Sequence, residues 1–135
     1  MWTPLTVEGW ALYCEEMMAE QGFYATAEER LFQRVHLLWR AVRVLLDVGL
    51  HTRGMTVTQA VDFLAARLHV DRANAEAEVR RYCATPTYAL SYAVGRRELL
   101  QLRQDFGASL REFHDAIMPF GGLPVSLIRW GLGLE

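Results

Sequence analysis

"TAEERLFQRVHLLWRAVRVLLDVGL", residues 26–50, decides the fold class. Leu31, Val35, Leu38, Val42, Leu45 and Leu46 recur three or four residues apart, so a 3.6-residue period gathers them into one broad apolar stripe. The spacing predicts a helix from about Thr26 to Leu50, ended by Gly49 and Gly54. Arg40, Arg43 and Asp47 interrupt its apolar run, which is too short and too charged to span a bilayer.

Outward from this stretch every periodic segment has helical period, and nothing alternates long enough to demand a strand. A preceding helix is expected from about Val7 to Gln21, stopped by Gly22. After it, "MTVTQAVDFLAARL" pairs Thr56 with Gln59 as a capping box for a helix reaching about Leu68. Asp71 caps the next, from Arg72 to about Cys83, and Pro86 terminates it. A long fifth helix runs from about Tyr88 to Gly107, Ser109 caps a short sixth, and Pro124 opens a last turn or two up to Trp130. The expectation is one all-α domain over residues 1–135, a compact bundle of six or seven helices without repeats or linkers.

Composition narrows the function classes. The 135 residues are 52% hydrophobic and 22% charged, as in a well-cored globular domain. A net charge of −2 gives no electrostatic reason to expect nucleic acid or an anionic membrane as partner. All 14 basic residues are arginine. Cys14 and Cys83 do not form a spaced metal pair; both sit in apolar helical contexts and read as buried free thiols rather than a disulfide. The opening "MWTPLTVEG" lacks a basic region followed by an apolar run, so no secretory signal is read there and a cytoplasmic location is expected.

Chemistry is concentrated in a few residues. In "TVEGWALYCEEM", residues 6–17, Glu8 and Glu15 stand seven apart and return to one helix face with Leu12 between them. Two like charges on a buried face need a cation there, an arginine or a metal. Arg43, Asp47 and His51 follow at i, i+4 and i+8, a cation, a carboxylate and an imidazole along one ridge. That ridge is either a surface ion-pair ladder or a substrate-side cluster in which Asp47 orients His51. Tyr88 and Tyr92 open the fifth helix at i, i+4 and are either core residues or hydroxyl donors for an oxyanion. His114 reads as a packed histidine. His36, His51, His69 and His114 include no pair four apart, so the two-imidazole arrangement H-E-x-x-H is absent.

Four blocks carry a resemblance: "VEGWALYCEEMMAEQGFY", "LWRAVRVLLDVGLHTRGMTVTQAVDFL", "PTYALSYAVGRRELLQLR" and "LREFHDAIMPFGGLPVSLI". In this order they resemble the carboxyl-terminal region of a large bacterial family known as domain of unknown function 885 (DUF885), over nearly the whole chain. Members of that family in turn resemble zinc metallopeptidases of the gluzincin type, including thimet-oligopeptidase-like and Taq-carboxypeptidase-like enzymes. In such enzymes one helix supplies two histidines and a catalytic glutamate, and a later helix supplies a third ligand from a V-E-x-x-x-x-x-x-x-E context. The resemblance implies that Glu8 is that zinc-ligating carboxylate, with Glu15 supporting it. It also implies that Tyr88 or Tyr92 stabilises the oxyanion of an attacked peptide carbonyl, and that His51 lines the same cleft with Arg43 and Asp47.

The histidine ligands and general base of the resembled enzymes belong upstream of residue 1. The chain is accordingly read as part of a zinc-dependent peptidase-like protein, inactive by itself, or as a helical binding or assembly module that performs no chemistry. Zinc and a peptide substrate are expected of a complete family member, and no tightly bound zinc of this chain alone, because one carboxylate cannot hold the ion against water. Glu8, Tyr88 or Tyr92, and His51 are expected to converge on one concave surface. Trp10, Leu12 and Tyr13 are expected to face outward, covered by an amino-terminal portion or, without it, by a second copy in a homodimer.

Overall fold

The computed structural model describes residues 2–134. Among them are seven α-helices, Pro4–Glu20 (α1), Ala27–Thr52 (α2), Val57–Leu68 (α3), Arg72–Ala84 (α4), Tyr88–Phe106 (α5), Leu110–Ile117 (α6) and Val125–Gly131 (α7), with a 3-10 turn at Met118–Phe120. The ends are where local chemistry puts them. Thr56 with Gln59 and Ser109 with Glu112 form reciprocal capping boxes, as do Thr26 and Glu29, and Asp71 accepts the Asn74 amide. Gly107, at φ 68°, closes α5 in a left-handed conformation that costs glycine little. The all-α expectation holds, with helix boundaries within three residues of the expected ones.

The bundle has two cores joined by α5. Val42, Leu46, Val61, Leu64, Val79 and Tyr82 pack α2, α3 and α4 together, reaching Ala89 in the first turn of α5. Tyr13, Leu99, Leu102, Phe113, Val125 and Ile128 form the second core, from α1, the last half of α5, α6 and α7. The most extensive helix pair is α1 with α5. These two run in the same direction and touch backbone to backbone at Gly9 and Gly95. A methyl group added at Gly95 would overlap the Leu5 carbonyl and lie 2.9 Å from Gly9 Cα. Ion pairs flank the crossing, Arg96 with Glu16 and Arg103 with Glu20, the latter at 2.9 Å.

At the other end of α5 the cap comes from a different helix. Thr87 sits at φ 70°, a left-handed conformation costly for a β-branched residue, and makes no side-chain cap of its own. Asp47 of α2 takes its place. Its two carboxylate oxygens accept the Thr87 and Leu90 amides, each at 3.0 Å, and the residue is only 1% exposed. A buried carboxylate is costly alone, but two amide donors at the positive end of a helix offset that cost.

Three expectations about exposure are corrected. Leu12 and Tyr13 are buried in the bundle, and Trp10 is half-buried, stacking on Tyr13 with ring centres 5.3 Å apart and meeting His114 edge-on. Packing between α1, α5 and α6 covers them, so they do not face outward. Conversely, of the α2 stripe only Val42 and Leu46 are buried, while Leu31, Val35, Leu38 and Leu45 are exposed together with Phe32. Only the second half of α2 lies under α3, α4 and α5, and α1 touches α2 little. The exposed stripe is therefore on α2 rather than α1. Cys83, expected to be buried, is exposed, because it falls on the outer side of α4 beside Tyr82.

Three measurements check this architecture. Gly95→Ala should destabilise the chain by about 3 kcal/mol, as backbone displacement at the crossing outweighs the helix propensity gained; urea unfolding reads it directly. Asp47→Ala should cost about 3 kcal/mol by orphaning two buried amides, and Asp47→Asn visibly less, since one acceptor oxygen remains. His114, whose Nε2 is hydrogen-bonded with the Tyr13 hydroxyl at 2.9 Å, has a pKa lowered from 6.5, first by burial and then by Arg103. The unfolded chain thus binds more protons below that value. The stability from neutral His114 is full above pH 6.5 and is lost as pH falls through the lower folded value. His114→Gln should flatten that acid limb in a urea titration across pH.

Candidate functional site

Where α1, α2, α4 and α5 meet at the first turn of α5, a cleft of about 130 Å³ opens, lined by Arg43, Arg81, Tyr82, Thr85, Tyr88, Ala89 and Tyr92. The α1–α5 crossing brings Glu8 to its edge, where the Tyr88 hydroxyl donates a short hydrogen bond to the Glu8 carboxylate. The Tyr88 and Tyr92 rings meet edge to face at 6.1 Å between centres. The hydrogen bond to Glu8, then burial and Tyr92, hold the Tyr88 hydroxyl well above the usual phenol range. It is therefore a protonated donor throughout the neutral range.

The opposite wall is built on α4. Arg43 lies between two rings, its guanidinium carbon 5.7 Å from the centre of Tyr82 and 5.4 Å from that of Tyr92. Its Nε donates to the Tyr82 hydroxyl at 3.1 Å, and one terminal nitrogen reaches Glu78 at 3.4 Å. Glu78 also accepts the Tyr82 hydroxyl and Arg81, each at 2.6 Å. Burial pushes the Glu78 carboxyl up, but the bonds from Tyr82 and Arg81 and the charge of Arg43 outweigh it, leaving the pKa lowered. Burial, then Glu78 itself, raises that of Tyr82. The result is an ionised, pre-ordered network along one side of the cleft.

The expected residues divide into three groups. Glu8, Tyr88, Tyr92 and Arg43 come together at the cleft. Asp47 and His51 lie behind its wall. Asp47 caps α5, and His51 bonds the Tyr82 carbonyl at 3.2 Å with its Nε2 3.6 Å from Asp47. Arg43 turns to Glu78 rather than Asp47, so the ridge along α2 is not an ion-pair ladder. Glu15 stands apart, 3.7 Å from Arg40, in a separate open groove with Phe23, Phe32 and His36.

Glu78, Arg81 and Tyr82 were missed in the sequence, although their i, i+3, i+4 spacing on α4 places them on one face. Among the described residues no three His, Cys, Asp or Glu side chains converge to hold a metal ion. Glu8 offers one carboxylate, which suits a single ligand position and no more. Among the same residues no helix is long and apolar enough to cross a membrane.

Comparison with known proteins adds the relationship. The family model described as "Bacterial protein of unknown function (DUF885)" matches residues 1–131. Two solved structures are similar over nearly the whole chain, each at 32% identity. One, the "putative lipoprotein" from Colwellia psychrerythraea, has a TM-score of 0.89 and covers 96% of this chain and 23% of its own. The other, a "putative lipoprotein of unknown function" from Shewanella oneidensis, has a TM-score of 0.88 and covers 99% and 26%. This chain thus spans about a quarter of the length of either. No curated protein matches it. The lipoprotein descriptions of both relatives overturn the expectation of a cytoplasmic location. With the family model matched over residues 1–131, the chain belongs to the bacterial DUF885 family.

Proposed function

We propose that this chain supplies one wall of a hydrolytic site of the zinc-metallopeptidase type, completed by parts of a longer polypeptide. The observation that carries the reading is the Glu8–Tyr88 hydrogen bond at the rim of a cleft lined by Tyr88, Tyr92 and Arg43. A carboxylate, two phenols and a cation stand around one small volume, which supports the reading. Glu8 would be the residue of this chain that holds zinc, with two histidines from elsewhere. Bound zinc would act as a Lewis acid toward a peptide carbonyl.

The other roles belong to the chain's own groups. Tyr88, kept protonated, fixes the Glu8 carboxylate through its hydroxyl and so limits the orientations of a ligand. Tyr92, beside it, is the second hydroxyl in reach of a substrate oxygen, and such donors stabilise developing negative charge when pre-placed. Asp47 positions both tyrosines by fixing the first turn of α5, with His51 packed against it. The lipoprotein descriptions of the relatives support an exported, lipid-anchored setting for the complete protein.

A second reading, a helical assembly module, is favoured by the exposed stripe Leu31, Phe32, Val35 and Leu38 on α2. An apolar row of that length is commonly covered, here by the remainder of a longer polypeptide or by a second copy. The two readings are compatible, because docking of that remainder would bring in the missing ligands.

The test uses whole proteins such as the Colwellia and Shewanella relatives, at the positions aligned with Glu8 and Tyr88. Zinc content by atomic absorption and cleavage of a mixed peptide library are measured together. The Glu8→Gln equivalent should lose zinc and cleavage alike. The Tyr88→Phe equivalent, which leaves the Glu8 carboxylate unfixed, should weaken zinc binding and cleavage about 10–100-fold without abolishing either. A Glu8→Gln equivalent with full zinc and full activity would refute the reading.

A further inference from the structure

The α4 side of the cleft carries more charge than its internal pairing consumes. Arg43 and Arg81 share one carboxylate, Glu78, leaving one net positive charge on that wall. Among the described residues Nη1 of Arg43 has no hydrogen-bond acceptor, its other donors going to Tyr82 and Glu78. The guanidinium is held in place by the two flanking rings, so little ordering remains to be done when a ligand arrives. Guanidinium groups match planar, two-oxygen anions best. The cleft, at about 130 Å³, is well below the usual range for a drug-sized ligand, so it takes the end of a molecule.

We propose that Arg43 and Arg81 bind the C-terminal carboxylate of a peptide, making this a site that works from the carboxyl end of its substrates. The proposal rests on the peptidase reading above and names its substrate class. Arg43 lies 5.4 Å from the Tyr92 ring centre, and that centre lies 6.1 Å from Tyr88, whose hydroxyl meets Glu8. An extended residue spans at most about 3.6 Å, so a few residues link a carboxylate at Arg43 to a carbonyl beside Tyr88.

The test needs neither zinc nor turnover, so its outcome is separable from that of the peptidase reading. The chain, labelled with ¹⁵N, is titrated with acetyl-alanyl-alanine, with the same dipeptide as its C-terminal amide, and with acetyl-aspartic acid α-amide. The free acid should shift the amides of Thr85, Ala89 and Tyr92 and bind at least about tenfold more tightly than the other two probes. Arg43→Gln should abolish that preference. Arg81 is more exposed, so Arg81→Gln should leave the fold intact and weaken the free acid several-fold without affecting the amide. Equal binding of acid and amide, or no shift at these three amides, overturns the proposal. Binding of the aspartyl amide as tight as that of the acid would assign the wall to acidic side chains and overturn it as well.

Discussion

The contact of Gly9 with Gly95 is the constraint on which the rest of the site depends. Two helices crossing at the backbone leave no freedom for side chains to adjust their separation. Glu8 immediately precedes one glycine, and Tyr88 lies about two turns before the other. Their hydrogen bond is thus set by the crossing rather than by local flexibility. The Arg96–Glu16 and Arg103–Glu20 pairs hold the two helices further along. Partly exposed ion pairs of this kind contribute modestly, so they tune the alignment that the glycines impose.

Asp47 does for the start of α5 what the glycines do for its middle. By accepting two amides from another helix it ties α2 to the turn before Tyr88 and holds Thr87 in its unfavourable backbone conformation. Strain of this kind persists where surrounding structure over-determines it, often beside a functional site. Here it sits one residue from the phenol that meets Glu8. An acidic residue chosen from sequence as a partner of His51 in chemistry has, in the folded chain, the position of a fastener for the cleft wall.

Helices were legible because their signals are local. Capping boxes at Thr56 and Ser109, the Asp71 cap and the terminating Gly107 need only a few neighbours to be read. Leu31, Val35, Leu38 and Leu45 show the limit: periodicity finds an apolar face but not whether anything covers it. The site was half legible. Glu8, Tyr88 and Tyr92 emerged from motifs, whereas the Glu78–Arg81–Tyr82 wall depends on how α4 docks against α2. Nothing near Asp47 in sequence indicates that its partners lie 40 and 43 residues away.

The division into two cores has a consequence for how the molecule breathes. Segments with separate apolar centres tend to open as separate cooperative units, and only α5 is embedded in both. The α3–α4 hairpin can therefore loosen from the bundle without disturbing the packing of α1, α6 and α7. Arg81 and Tyr82 travel with the looser part, while Arg43 on α2 and Glu8 on α1 stay with the bundle. The width of the cleft is then a coordinate of that opening motion, and any molecule that touches both sides acts as a strut between two otherwise independent folding units.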